Sequence, residues 1–197
     1  MQLSTGDMVW ILLSATLVLL MQAAFLCLET GLARRKNAIN VAMKNATDLM
    51  ITLLVFWGVG FGLIFGPSAG GMIGLGPFFP DLNTMAPADA AIFLFQSMFA
   101  ATTATIVSGA VSERMSYVSY GLVTLVVALC LYPLAGHWVW GGLLAAGQGW
   151  LGALGFVDFA GATVVHSVGG WIALAAVLIV GPRIGRFTDA GAQSIPA

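Results

Sequence analysis

Asp158-Phe159-Ala160-Gly161-Ala162-Thr163-Val164-Val165-His166 places a carboxylate and an imidazole in a run that otherwise stays apolar as far as Val180. Such a run is long enough to cross a bilayer, and ionisable groups inside lipid are costly enough to mark a functional pathway by default. Eight residues of helix set His166 about 12 Å below Asp158, near the middle of a hydrocarbon slab about 30 Å thick. The spacing predicts that something polar is handled at that depth.

The rest of the chain supports a membrane setting. Hydrophobic residues make up 59% of the 197 and charged residues only 8%, against roughly 25% charged in a soluble domain. Five runs of spanning length can be drawn: Met8–Leu28, Ala46–Phe65, Ala90–Val111, Tyr117–Leu134 and Phe159–Val180. Helices are expected, since barrel strands would be short and alternating. The opening residues lack the positive region of a secretory signal, so the first run is expected to stay as a helix. Cys27 and Cys130 fall inside apolar runs and are read as small buried hydrophobes. A net charge of -1, with no basic patch or aromatic RNA motif, sets nucleic-acid binding aside.

The seven basic residues decide orientation. Arg34, Arg35, Lys36 and Lys44 lie between spans one and two, Arg114 between three and four, and Arg183 and Arg186 after five. The connections on the other side, Gly66–Asp89 and Ala135–Val157, hold no Lys or Arg. The positive-inside rule then puts the N-terminus outside and the C-terminus in the cytoplasm.

Several residues carry two readings. Asp158 is a good N-cap for span five and equally a carboxylate lending negative potential to a cation entrance. His166 either bonds a neighbouring helix or lines a pore; a neutral imidazole donates and accepts at once, which suits a small polar molecule or a proton relay. Phe95 and Phe99 share a face one turn apart, as core residues commonly do. Trp138, Trp140 and Trp150 suit an aromatic belt, with His137 beside them as an interfacial residue. Pro133 is expected to end or kink span four. Gly58, Gly62 and Gly66 make a smooth face for another helix, as do Ala101, Thr105 and Gly109. Glu29, Asp48 and Glu113 are read as structural carboxylates paired with basic neighbours. No triad, nucleophile elbow, P-loop or HExxH motif is present, and no enzymatic activity or cofactor is expected.

Asp158-Phe159-Ala160-Gly161 with Val165-His166 resembles the helix-five signature of the ammonium transporter family, the Amt/Rh superfamily. Glu29-Thr30-Gly31-Leu32 with Arg34, Lys36 and Asn37 is similar to the end of that family's helix one. Phe95-Gln96, Phe99 and Gly109-Ala110-Val111-Ser112-Glu113-Arg114 resemble helix three, and His137-Trp138-Val139-Trp140-Gly141-Gly142 the outer connection. The sequence departs from the family pattern at Ala162, where Gly, Ser or Cys is usual, and in a longer connection from Trp140 to Asp158.

The resemblance implies an all-α polytopic membrane protein, with residues 1–197 supplying the first of two inverted five-helix repeats of an eleven-helix fold. It implies a homotrimer in the cell (inner) membrane, ammonium or ammonia as substrate, and a cytoplasmic PII-type signalling protein as partner. Phe95 and Trp140 would help form an outer recruitment site, Phe99 would be half of a phenylalanine gate, and Asp158 would support the site. His166 would be the first of two pore histidines. The second gate phenylalanine and second histidine would belong to the other repeat. An ammonium-sensing module of a signalling protein is the alternative, and a metal enzyme built on Asp158 and His166 lacks ligands.

Overall fold

Apolar residues arrive in long runs, and a backbone in lipid must satisfy its own polar groups, so each run closes into a helix. The computed structural model describes residues 3–144, 147–189 and 191–195. Ala145 and Ala146 of the tryptophan-rich connection, and Ala190, Pro196 and Ala197 of the tail, lie outside the described residues.

Among the described residues, five helices are long and apolar enough to span: α1 (Thr5–Leu32), α2 (Arg35–Phe65), α3 (Pro87–Ala110), α4 (Tyr117–Trp140) and α5 (Ala162–Val180). Ser4 starts α1 with a capping box, its hydroxyl accepting from the Asp7 N–H at 3.1 Å while the Asp7 carboxylate takes the Ser4 N–H at 3.0 Å. The central helix is α3, packed against α1, α2 and α5. Its buried stretch Ala100–Thr105, with Ser108, is built of small residues that let neighbouring backbones come close. Tyr132 of α4 closes the centre by donating to Gln96 Oε1 of α3 at 3.0 Å.

Three spans contain a widened π turn, at Phe56–Gly60 in α2, Val127–Leu131 in α4 and Ala162–Ser167 in α5. The turns in α2 and α4 pack against each other. Pro133 does not end α4; it follows directly on a π turn, and the helix continues to Trp140. A π turn already disrupts the i→i−4 ladder, so the N–H that proline lacks is not missed there.

That extension changes His137 from an interfacial residue into a core one. It is fully buried, with Nδ1 2.6 Å from the Ile64 carbonyl and Nε2 2.8 Å from Ser68 Oγ. It ties the end of α4 to the small hairpin in which Ser68–Ala69 pairs with Ile73–Gly74. Gly62 and Gly66 receive this loop, not another helix: a Cβ at either would collide with the backbone of Gly76 and Pro77. Cys27 and Cys130 are free and exposed on the bundle, not buried. Much of the outward face of α1 and α5 is likewise apolar and exposed, including Trp10, Leu17, Trp171 and Ile179, as expected of surfaces that meet lipid or further protein.

Candidate functional site

Span five does not begin at Phe159. That residue is 98% exposed, and the helix starts at Ala162 after Gly161 turns the chain in the left-handed region at φ 81°. A Cβ at Gly161 would lie 2.7 Å from Val165 Cγ2 and 3.4 Å from the Phe99 ring, so both conformation and space require glycine.

Asp158 holds this turn. Its Oδ1 accepts the N–H groups of Gly161 (2.9 Å) and Ala162 (3.0 Å), and its Oδ2 those of Thr163 and Val164 (both 2.8 Å). All four are the orphan donors of a helix start, and the positive end of the helix dipole adds to the attraction. Asp158 thus caps the helix start with its side chain, though the N-cap position itself is Gly161, three residues further on.

The π turn carries His166. Its backbone N–H reaches the Gly161 carbonyl at 3.0 Å, as does that of Val165. Val164 and Val165 are buried in the core while His166 stands on the exposed side of the helix. The imidazole makes no hydrogen bond with the described residues. It is not covered by this chain's own side chains.

The predicted aromatics do come together. Phe95 and Phe99 have ring centroids 4.4 Å apart, and the Trp140 ring lies 6.0 Å from that of Phe99. Trp140 Nε1 donates to the Asp158 carbonyl at 2.8 Å, linking α4 to the turn that opens α5. Phe95, Phe99 and His166 line one cavity of about 340 Å³ with Thr102, Ala160 and Val165, closed on the α1 side by Trp10, Ser14, Leu17, Val18 and Met21. Trp140 and Asp158 support its wall from behind and are not among the lining residues.

Two residues of this region were not singled out in the sequence. Thr102 lies one turn below Phe99, and Gln22 of α1 donates to its hydroxyl at 2.8 Å. A lone glutamine in an otherwise apolar spanning run was the available signal.

At the basic end, Glu113 is the hub. Arg34 Nε (2.9 Å), Asn37 Nδ2 (2.6 Å) and the Arg34 backbone N–H (3.1 Å) all donate to its Oε1, and Arg183 lies 3.2 Å from its Oε2. Burial alone would raise the Glu113 carboxyl, but the Asn37 and Arg34 bonds and the Arg34 charge outweigh it and hold the group below the usual carboxylate range. Glu113 thus pairs with Arg34 and Arg183, not with adjacent Arg114, whose guanidinium instead donates to the Gly181 carbonyl at 2.6 Å. Glu29 and Asp48 form no ion pair either: Glu29 is bonded by Asn45 and Ser108, and Asp48 by Tyr120. In a low-dielectric interior, hydrogen bonds from neutral partners avoid burying a second charge.

Five apolar spans with every Lys and Arg at one end define a polytopic membrane protein, and one of its cavities combines clustered aromatic rings with an imidazole. The residues 9–197 match the model of the Ammonium Transporter Family, and the chain belongs to that family. A relative from Synechocystis sp. is 51% identical over 190 residues, covering 94% of this chain and 35% of the relative. Ammonium transporter Amt2 of Archaeoglobus fulgidus is 41% identical over 201 residues, covering 96% of this chain and 42% of its own length. Among solved structures, one described as a Sensor Amt Protein superposes with a TM-score of 0.89 at 45% identity, over 95% of this chain and 47% of that one. The chain therefore spans less than half the length of these relatives, and its five helices correspond to the N-terminal half of the fold.

Proposed function

We propose that this chain is the first half of an ammonium transport module. The cavity shared by Phe95, Phe99 and His166, in a chain of this family, carries the reading. The basic end is taken as cytoplasmic and the tryptophan end as outer. Ammonium is recruited at the outer end against Phe95 and Phe99, with Trp140 and Asp158 fixing the wall behind them. A desolvated cation–π contact is worth about 2 kcal/mol, whereas a bare ion in low dielectric costs tens. The rings can hold ammonium at the mouth but cannot carry it across. Deprotonation there lets neutral ammonia continue past Phe99, while His166 accepts and donates in a proton relay. Potassium has no proton to lose and stays outside.

The complete protein is proposed to be a homotrimer in the cell membrane, open to a PII-type signalling protein on its basic side. The similarity to a sensor supports a second reading, in which the same membrane module feeds a signalling domain.

The test is methylammonium uptake by the full-length protein in cells lacking their own ammonium transporters. Uptake is expected, and His166→Ala should abolish most of it while assembly is retained. Undiminished uptake by that variant would remove the relay role; absence of uptake by the unsubstituted protein would favour the sensor.

A further inference from the structure

The outer cavity is continued by a second one lower on the same face. Along α1, the lining residues Ser14, Leu17, Val18 and Met21 of the first cavity give way, turn by turn, to Phe25, Leu28, Glu29 and Leu32 of the second. Along α3, Thr102 gives way to Ile106, Gly109 and Ser112. From Thr102 to Gly109 is about 10 Å along the helix. The lower cavity, about 320 Å³, is bounded at the basic end by Arg183.

Glu29 is the carboxylate in this wall, and its two oxygens differ. Oε2 takes both strong bonds, from Ser108 Oγ at 2.7 Å and Asn45 Nδ2 at 2.8 Å. Asn45 is itself fixed, its Oδ1 accepting from Thr105 at 2.9 Å. Oε1 receives no side-chain hydrogen bond from the described residues and lies where a Cβ on Gly109 would come within 3.0 Å. A second group points to a missing occupant: Ser112 lines the same cavity, and its hydroxyl is buried without a partner. Glu29, whose Oε1 takes no side-chain hydrogen bond from the described residues, and Ser112, whose hydroxyl has no partner, line one cavity that suits a small hydrogen-bonding guest.

We infer that Glu29 is the proton-transfer site at the cytoplasmic end of the pathway, where ammonia that has passed His166 becomes ammonium again. This rests on the transport reading given above. Ammonia takes the proton from the Glu29 carboxylic acid: the O–H bond at Oε1 breaks, an N–H bond forms, and ammonium and a carboxylate result. The proton relayed down the same face restores the acid, so that one ammonium split at the outer end is reassembled at the inner end. Arg183, already held by Glu113, sets positive potential at the cavity's edge and favours departure of the new cation into water. The Ser108 and Asn45 bonds fix the carboxylate through the oxygen that is not used.

Glu29→Gln keeps an oxygen for Asn45 and Ser108 and removes the group that titrates. In proteoliposomes of the full-length protein, its maximal ammonium flux should fall about 100-fold, the lower range for loss of a positioned acid–base group, with the half-saturating concentration little changed. Glu29→Asp should restore most of the flux. Gly109→Ala, which crowds Oε1 and leaves the Oε2 clamp alone, should also reduce maximal flux and serves if the glutamine variant does not assemble. Wild-type flux in Glu29→Gln or, failing its assembly, in Gly109→Ala overturns the inference. So does a loss in Glu29→Gln that tracks only a fall in melting temperature and is not rescued by aspartate, because that is a structural clamp. No flux in the unsubstituted protein would instead defeat the transport reading itself, which His166→Ala probes separately.

Discussion

Replacing Asp158 with alanine tests whether the turn before α5 is held by its carboxylate. Four backbone N–H groups lose their acceptor at once. Gly161 and Val164 are buried, while Ala162 and Thr163 are exposed and can turn to water. Each buried orphan costs about 1–3 kcal/mol, so the two together should destabilise by about 2–6 kcal/mol. Asp158→Asn keeps one acceptor oxygen and turns an NH₂ toward the other pair of donors, so its cost should fall between wild type and alanine. The assay is the melting temperature of the purified full-length protein alongside methylammonium uptake. Because the same turn sets the π segment that presents His166, uptake should fall with stability in the order wild type, Asn, Ala. An alanine variant with unchanged melting temperature and uptake would refute the claim that these four bonds hold the site.

Gly161→Ala should destabilise by about 1–3 kcal/mol through its left-handed backbone, and more if Val165 cannot move from the new Cβ; uptake and melting temperature read it. Glu113 has its carboxyl lowered in the folded state, so its contribution is fully present above the unfolded value of 4.5 and is lost as pH falls through the lower folded value. The stability gap between wild type and Glu113→Gln should therefore be flat above that pH and close below it, which thermal melts across acidic pH would show. Tyr120→Phe removes the hydroxyl that donates to fully buried Asp48 at 2.5 Å and should cost about 1.5–3 kcal/mol; adding Asp48→Asn should recover part of that, and strict additivity in the double variant would contradict the pairing.

Five spans were legible because composition and charge segregation act over whole helices: no other structure buries such runs in lipid. His166 stood out because an ionisable side chain in lipid needs a reason, whereas Phe95 and Phe99 read from spacing alone as core residues and were joined to it only by the family resemblance. What escaped depends on backbone detail that side-chain patterns do not record. Pro133 reads as a breaker, yet the π turn at Val127–Leu131 lets α4 run seven residues past it, to Trp140, and that run carries His137 inside. The glycine row at 58, 62 and 66 correctly signals close approach, but spacing cannot say whether a helix or a loop arrives. For Glu29 and Asp48 the sequence offered nearby cations, whereas the fold supplies neutral donors from α2, α3 and α4.

The two carboxylates on the pathway differ in a way that assigns them different work. Asp158 spends both oxygens on four N–H groups, each with a fixed partner, so a cation near it would have to displace bonds that hold the helix. On the proposed transport reading, the outer end would hold ammonium through ring faces, which bind weakly enough to let it go once it is deprotonated. Glu29 commits Oε2 to Asn45 and Ser108, whereas its Oε1 receives no side-chain hydrogen bond from the described residues, and Glu29 lines a cavity together with Ser112. A carboxylate clamped by side chains through one oxygen can exchange a proton at the other without unlatching the bundle. Under the transport proposal, weak capture by rings at one end and proton return by an acid at the other would move a cation across lipid without stabilising it inside.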